Sequence, residues 1–369
     1  MNYNKRLDLV EESGIRRYKE YAKKKGMIDF TIGDTCFNVN DSIKYAVMKD
    51  LIENHTHYEL TQGSEEVRAL ISEKEKILGY SKEEVLLTIG ATEGIYAALT
   101  ALLNAGDEVI LFKPYYGLYK NVVIQNSGKI IEVDGLTGIK ISDFESVITE
   151  HTKVIILNIP NNPTGKLYTE EIEWLIEVVQ RHDIYIVVDA TYEEIIYDGK
   201  KVDYTKWVKL KERLVIVKSL SKSHAMTGMR LGYVLADKSI MKYLIKVHQM
   251  CVSCIPSIFK RAYIEALNED VEERLVEYEN KRNFVITKLD ETDIKYIKPE
   301  GAFYICLYVP KDMNSIEYTH ELMSEANIVC VPGIYFGDDR IIRLSFSTEW
   351  IHLINGMNRL KDYIESKSK

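Results

Sequence analysis

Short, largely apolar runs alternate along much of the chain with segments whose apolar residues recur at helical spacing. The runs lie at 85–89, 108–112, 153–157, 184–188 and 214–217. Helical patterns come between them, at 92–103, at about 119–126 and at about 169–182. Apolar runs separated by helices are typical of buried strands in a parallel sheet with both faces covered. The pattern therefore predicts an α/β fold, in which a mostly parallel sheet is sandwiched by helices.

The pattern changes near residue 238. A long, highly charged helical region is predicted through 265–289, and strand-like runs follow at 302–307 and 341–346 with a helix between them. We interpret this part as a smaller α+β domain. The N-terminal residues precede the first strand–helix unit and are expected to pack with it. The predicted organisation is a large domain at 41–265 and a small domain made of 1–40 and 266–369.

Composition narrows the class of protein. The chain has 369 residues, of which 46% are hydrophobic and 28% charged, which is enough for a sizeable core. Its formal net charge of −8 disfavours nucleic acid and anionic membranes as partners. No apolar run approaches the roughly 20 residues of a membrane-spanning helix, and none follows Lys5 and Arg6 as in a signal peptide. Five cysteines, an odd number, fit reduced thiols. These features predict a cytoplasmic protein.

The polar residues after the predicted strands carry the candidate chemistry, because ligands of parallel sheets bind beyond the carboxyl ends of the strands. The most informative segment is 219–233, with the sequence SLSKSHAMTGMRLGY. Lys222 lies there between small hydroxyl residues, and Arg230 follows eight positions later. A desolvated lysine, or one beside another cation, can form a Schiff base. Serines and an arginine suit a phosphate. Pyridoxal phosphate requires both features.

Asp189 and Tyr192 follow the run 184–188. An aspartate after five apolar residues does not stay buried and charged without a partner. Asp189 either caps the next helix, where Asp is favoured, or keeps a pyridine nitrogen protonated so that the ring accepts electrons. In the second case, Tyr192 is placed to donate to the phenolic oxygen of the ring.

Three other strand ends have an ordinary structural interpretation beside a functional one. Residues 161–165, NNPTG, are turn formers, but the amide of Asn162 also suits a ring hydroxyl and a substrate carboxylate. Residues 90–94, GATEG, are common between a strand and a helix, but a helix N-terminus with small residues can hold an anion. Tyr116 either packs in the core or stacks on a planar cofactor.

No metal site is predicted. Cys251 and Cys254 match a CxxC pattern, but no second pair of metal ligands accompanies them, so a redox or zinc role is disfavoured. His55 and His57 lack a third ligand. A structural role is favoured for all four.

In combination and in this order, these residues resemble the class I/II aminotransferases of pyridoxal-phosphate fold type I, which are aspartate aminotransferase-like. The resemblance runs from Ser13-Gly14-Ile15-Arg16 and Ile32-Gly33-Asp34 to Arg343-Leu344-Ser345-Phe346. It implies ping-pong transfer of an amino group from an L-amino acid to a 2-oxo acid. Lys222 is expected to form the internal aldimine and then to move the proton, while Asp189 pairs with the pyridine nitrogen.

The resemblance also implies the binding residues. Those expected to hold the cofactor are Ala91, Thr92, Tyr116, Asn162, Asp189, Tyr192, Ser219, Ser221, Lys222 and Arg230. Those expected to contact the substrate are Ile15, Gly33, Asn162 and Arg343, of which Arg343 grips the α-carboxylate. Tyr58 matches a tyrosine that reaches the phosphate of the neighbouring subunit, so a homodimer with shared active sites is expected.

Two departures from the family pattern stand out. Thr35-Cys36-Phe37 follow Gly33 and Asp34 where a proline is usual, which alters the substrate-facing segment. Ala190 follows Asp189 where glutamate is common, which leaves the chemistry intact. No residue is identified as a second arginine for a dicarboxylate side chain.

Three other functions compete with aminotransfer. A pyridoxal-phosphate-dependent carbon–sulfur β-lyase is the main alternative, because the same residues build its site. A non-catalytic amino-acid sensor is less favoured, since Lys222, Asp189 and Arg343 are all present. A nucleotide-dependent enzyme is disfavoured because no G-x-G-x-x-G or G-x-x-x-x-G-K-[ST] follows a strand.

Overall fold

The computed structural model describes residues 4–367. Its strands are β1 (Ile28–Asp29), β2 (Val85–Thr88), β3 (Glu108–Lys113), β4 (Lys129–Asp134), β5 (Thr152–Asn158), β6 (Tyr185–Asp189), β7 (Leu214–Ser219), β8 (Gly232–Ala236), β9 (Tyr296–Ile297), β10 (Tyr304–Tyr308), β11 (Ile328–Val329), β12 (Val331–Pro332) and β13 (Ile341–Ser345). Its α-helices are α1 (Gly14–Lys25), α2 (Asp41–Ile52), α3 (Glu65–Lys74), α4 (Gly90–Leu102), α5 (Leu118–Gln125), α6 (Ile141–Glu145), α7 (Glu171–Arg181), α8 (Lys238–Val252), α9 (Lys260–Asn268), α10 (Glu272–Asp290), α11 (Ser315–Glu321) and α12 (Trp350–Lys367). Shorter helical turns connect several of these elements.

Seven strands form the main sheet, in the order β2-β8-β7-β6-β5-β3-β4. The strands from β7 to β4 pair in parallel, whereas β8 is antiparallel to both of its neighbours. The predicted mostly parallel sheet is therefore confirmed. The five predicted runs correspond to β2, β3, β5, β6 and β7, while β4 and β8 were not predicted.

Both faces of the main sheet are covered. Successive side chains of a strand point to opposite faces, and the buried residues of β3, β5, β6 and β7 accordingly divide between two hydrophobic clusters. Ile110, Ile155 and Ile216 belong to the cluster on one face, while their neighbours Val109 and Val154 belong to the cluster on the other. This arrangement explains why these strands are apolar throughout rather than alternating with polar residues.

A second, antiparallel sheet of order β12-β13-β10-β9 lies in the C-terminal part of the chain. The N-terminal strand β1 pairs in parallel with β11, and the backbone N–H of Ser345 donates to the carbonyl of Phe30 at 2.8 Å. These contacts bring the two ends of the chain together. The domain boundaries at residues 41 and 265 stay a prediction.

The helical region predicted through 265–289 is divided between two helices, α9 and α10. Residues 269–271 separate them, and Glu269 has an extended backbone, with φ −71° and ψ 137°. The Asp270 carboxylate accepts the N–H of Glu272, the first residue of α10, at 2.9 Å. Nowhere in residues 4–367 does a helix combine the length and apolar character that a bilayer crossing requires.

Candidate active site

A cavity of about 220 Å³ opens at the carboxyl ends of the parallel strands. Residues that follow β2, β3, β5, β6 and β7 line it, together with residues from α1, β10 and β13. The predicted site residues that line it are Ile15, Gly33, Ala91, Thr92, Tyr116, Asn162, Asp189, Tyr192, Ser219, Ser221, Lys222, Arg230 and Arg343. Tyr58 does not line it, and 91% of that residue is exposed.

The amine of Lys222 lies in this cavity under strong desolvation. Burial is the main reason why the pKa of Lys222 is lowered to about 8; Arg230 and Arg343 act in the same direction, and the Asp34 and Asp189 carboxylates oppose them. Its Nζ donates to the carbonyl oxygen of Gly33 at 2.5 Å. The amine therefore loses its proton far more readily than an exposed lysine does, as a nucleophile or a general base requires.

Asp189 ends β6 as a buried carboxylate. Burial raises the pKa of Asp189, and three hydrogen bonds oppose that rise. Tyr119 Oη donates to its Oδ2 at 2.6 Å, and the N–H and Oγ1 of Thr191 donate to Oδ1 at 3.0 and 2.6 Å. No lysine or arginine of residues 4–367 forms an ion pair with it. The structure thus presents a buried carboxyl group, held by three hydrogen bonds, at the cavity wall, which suits a cationic nitrogen on a ligand.

The turn from β2 to α4 and the side chain of Arg230 form an anion-binding end of the cavity. Gly90 has φ +70°, and a Cβ there would lie 2.8 Å from Nη2 of Arg230, so only glycine allows this approach. The first N–H groups of a helix have no partner within the helix and attract anions. Ser219 and Ser221 lie beside them and also line the cavity. These groups together match the needs of a phosphate.

Arg343 also lines the cavity and is completely buried. Its Nη1 donates to Asn162 Oδ1 at 2.9 Å and its Nη2 to the carbonyl of Thr31 at 2.6 Å. Its guanidinium stacks 4.1 Å from the ring centre of Tyr304. Within residues 4–367 it forms no ion pair, and its Nε has no hydrogen-bond partner. A buried cation without a carboxylate is costly unless a ligand supplies one.

Aromatic hydroxyls and rings close the remaining walls. Tyr192 and Tyr304 share a hydrogen bond of 2.7 Å between their hydroxyls. A Cβ at Gly33 would lie 2.5 Å from the Tyr304 hydroxyl, so a larger residue there would displace that tyrosine. Tyr116 packs edge-on against Tyr119, with ring centres 5.8 Å apart.

The cavity also contains residues that the sequence did not single out. Tyr119 holds Asp189, Tyr304 stacks on Arg343, and Asn158 donates to the carbonyl of Asp189 at 2.9 Å. No sequence pattern distinguishes these from other buried residues. For Arg16 the sequence did offer a signal, because this residue directly follows Ile15 in the segment 13–16 that resembles the family. It is exposed, lines the cavity and makes no ion pair within the described residues.

Comparison with known proteins yields consistent similarities. Residues 25–350 match the family described as Aminotransferase class I and II. A probable N-acetyl-LL-diaminopimelate aminotransferase of Bacillus subtilis is 32% identical, over 97% of this chain and 94% of that protein. An aspartate aminotransferase of the same organism is 34% identical, over 93% and 92%. The solved structure of an aspartate aminotransferase of Thermotoga maritima superposes with a TM-score of 0.94, at 27% identity, over 98% of this chain and 100% of that one.

Proposed function

The chain belongs to the class I and II aminotransferases, and we propose that its cavity binds pyridoxal phosphate and accepts dicarboxylic amino and oxo acids. The protein is an aminotransferase of the aspartate aminotransferase fold. The observation that carries the proposed amino-acid binding is the position of Arg343. This fully buried cation lines the same cavity as the low-pKa amine of Lys222 and forms no ion pair within residues 4–367.

Members of this family use pyridoxal phosphate, and the cavity fits that group. Lys222 offers an amine for its aldehyde, and Asp189 offers a buried carboxylate for its ring nitrogen. The phosphate would be held by Arg230, Ser219, Ser221 and the N–H groups of Ala91 and Thr92. Tyr116, Asn162 and Tyr192 remain for contacts with the ring.

When bound, the cofactor supplies an electron-withdrawing ring that makes the α-proton of an amino acid acidic. Lys222 would take that proton from the substrate Cα and return it to the former aldehyde carbon of the cofactor, on the other side of the nitrogen, and its lowered pKa suits both transfers. Asp189 keeps the ring nitrogen protonated. Arg343 holds the α-carboxylate, for which its planar guanidinium offers two parallel donors. Tyr304 keeps that guanidinium in place through its stacked ring.

The proposal of dicarboxylic substrates rests on Arg16. A substrate whose α-carboxylate is held by Arg343 leaves its side chain free within the same cavity. Arg16 is an exposed cation in the cavity wall without an ion-pair partner in the part of the chain that the structure describes. Among the described cavity residues, Arg343 is assigned to the α-carboxylate and Arg230 to the phosphate. Arg16 is the arginine that remains for a side-chain carboxylate. Several relatives are named aspartate aminotransferases, which supports the same substrate class.

We also propose a homodimer. An apolar surface without a partner in the single chain runs along α2 and the loop after it, and 76% of Ile52 and 91% of Tyr58 are exposed. Its other members are Tyr45, Met48, Leu51 and Leu60. Such a patch marks an interaction surface, and a second copy would bring Tyr58 to the phosphate end of the partner's cavity.

The cytoplasmic location inferred from five unpaired cysteines stays a prediction.

A panel of amino donors, assayed with Arg16→Gln, tests the substrate class. The wild-type enzyme loaded with pyridoxal phosphate should convert aspartate or glutamate to the corresponding 2-oxo acid. Arg16→Gln should lower kcat/KM for these donors by about 30-fold, and by less than about twofold for alanine, since a lost charged hydrogen bond costs about 2 kcal/mol. The matched control is Arg17→Gln, because Arg17 neighbours Arg16 but does not line the cavity.

An equal loss for acidic and neutral donors would refute the role of Arg16. Release of pyruvate and ammonia from cysteine or cystathionine, without a 2-oxo acid acceptor, would instead favour the carbon–sulfur β-lyase.

A further inference from the structure

A buried ion cluster lies behind the active site. It consists of Lys218 on β7, Glu75 just after α3, and Glu193 shortly after β6. The Nζ of Lys218 is 2.6 Å from Glu75 Oε1 and 2.8 Å from Glu193 Oε1, and its side chain is only 5% exposed. None of these three residues lines the active-site cavity.

Two tyrosines complete the hydrogen bonding of the ion cluster. Tyr233 donates to Glu75 Oε1 at 2.8 Å, and Tyr204 donates to Glu193 Oε2 at 2.6 Å. The ring of Tyr204 also lies against the lysine, with its centre 4.9 Å from Nζ. The cluster is therefore an ordered network of residues from five separate segments of the chain, rather than a chance surface pair.

The ion cluster joins the two turns that carry the catalytic groups. Lys218 precedes Lys222 by four residues, and Glu193 follows Asp189 by four. The strands that lead into these turns are neighbours, and the N–H of Ala190 donates to the carbonyl of Val217 at 2.9 Å. An ammonium–carboxylate contact on the far side of the turns thus holds the Asp189 turn against the Lys222 turn.

A second cavity, of about 730 Å³, lies on that far side. All three residues of the ion cluster line it, and Thr191 and Ser219 line both cavities. The two turns therefore form a wall between the cavities. A shift of the ion cluster would be transmitted directly to groups that contact Asp189 and the phosphate end.

The charges of the ion cluster do not balance if all three groups ionise, because two carboxylates face one ammonium. The pKa of Glu193 is raised to about 7, mainly by burial and also by the nearby carboxylates of Glu75 and Glu194, against the opposing effect of Lys218. The cluster is thus neutral when Glu193 is protonated and carries one negative charge at higher pH. The charged and titratable groups around Glu193 and its cavity are Glu75, Lys218, Glu194, Tyr204, Tyr233, Lys74, Lys200, Lys201, His224, Glu269, Glu272 and Glu279.

We propose that Lys218 is a positioning residue for aminotransfer, which holds the Asp189 turn against the Lys222 turn through Glu193 and Glu75. A second consequence is electrostatic, since the proton on Glu193 adjusts the charge behind Lys222 near neutral pH. The proposal rests on the proposed function, because it is the arrangement of that site which the ion cluster maintains.

Substitution of Lys218 separates positioning from simple stability. Lys218→Met removes the ammonium but keeps the chain length, and should lower kcat by about 10- to 100-fold, as small misplacements of catalytic groups do, while KM changes by less than about twofold. Lys218→Arg should restore most of that loss. Lys206→Met is the matched control, since Lys206 pairs with Glu173 at the surface, and it should leave kcat unchanged.

Glu193→Gln tests the charge with a readout besides activity. The visible absorption band of the bound cofactor is titrated with pH in the loaded protein. Loss of a negative charge behind Lys222 disfavours the protonated, cationic form of the cofactor bound there. The midpoint of this titration should therefore fall by about half a pH unit or more. Arg17→Gln, which lies outside the ion cluster, should leave the midpoint in place.

Wild-type kcat in folded Lys218→Met, or an unchanged midpoint in Glu193→Gln, would overturn the proposal. If Lys218→Met does not fold, the titration of Glu193→Gln decides. A wild-type protein that transfers no amino group would refute the proposed function instead, whereas the titration does not depend on any donor.

Discussion

At the scale of single residues, the environment of Lys222 decides whether its amine can react. An exposed lysine, with a pKa near 10.4, is almost entirely protonated at neutral pH. Burial lowers the pKa of Lys222 to about 8, so about one molecule in ten carries the neutral amine at pH 7. The residue type was evident from the sequence, but the shift comes from burial, Arg230 and Arg343, which only the folded chain assembles.

The rate at which the apoprotein captures pyridoxal phosphate should follow this pKa. The neutral amine is the nucleophile, so the rate should rise about tenfold per pH unit below 8 and level off above it. The measurement is borohydride reduction at timed intervals, followed by peptide mass analysis of Lys222. Lys222→Ala is the control and should retain no label at this position. A rate that continues to rise steeply to pH 10 would contradict the assignment.

At the scale of elements, the turn from β2 to α4 determines where an anion can lie. Gly90 has a left-handed backbone, and the side chain of Arg230 occupies the space that a Cβ would need. The turn thus brings an arginine onto the start of a helix, where unpaired N–H groups and the helix dipole favour negative charge.

Gly90→Ala should therefore weaken cofactor binding more than it weakens the fold. The added methyl group displaces Arg230, and we expect the dissociation constant of pyridoxal phosphate to rise by about tenfold or more, the equivalent of one charged hydrogen bond. Gly26→Ala is the matched control, because its φ of +63° is similar but nothing lies within 4 Å of the new Cβ. Both variants should lose about 1 kcal/mol of stability, measured by denaturant unfolding. Equal cofactor affinities in the two variants would count against the phosphate site.

An element could be predicted from the sequence where the pattern of its apolar residues matches its burial in the folded chain. The strands β2, β3, β5, β6 and β7 are buried on both faces and read as apolar runs. The strand β4 lies at the edge of the sheet, and its polar residues are exposed, so its pattern resembled a loop. The strand β8 is buried, but it follows Arg230 so closely that the sequence was interpreted only as part of the phosphate-binding segment. The break between α9 and α10 comes from the extended backbone of Glu269, which helical periodicity does not reveal.

At the scale of the whole molecule, a second copy of the chain is expected to complete the site. Tyr58 is exposed on its own chain and remote from its own cavity, while the apolar surface around α2 has no partner in the single chain. If two copies pair through this surface, each cavity depends on residues of both.

Mixed dimers test this arrangement. Tyr58→Phe and Lys222→Ala subunits, co-expressed with different tags, form heterodimers in which one cavity has both Lys222 and the partner's Tyr58. Such heterodimers should show about half of wild-type activity per dimer at limiting cofactor, whereas each parent homodimer should be far below that level. If Tyr58 served its own chain, the heterodimer would contain no complete site and would not regain activity.

The amino-acid pattern predicted the fold class and most of the residues that line the cavity, because parallel strands collect the residues after their carboxyl ends at one edge of the sheet. Lys222, Asp189 and Asn162 were recognisable for that reason. The partners of those residues could be identified only from the folded chain. Tyr119 holds Asp189 from 70 positions away, and Glu75 holds Lys218 from 143 positions away. Contacts between distant segments leave no local pattern, and the pKa values that make the site reactive depend on those contacts.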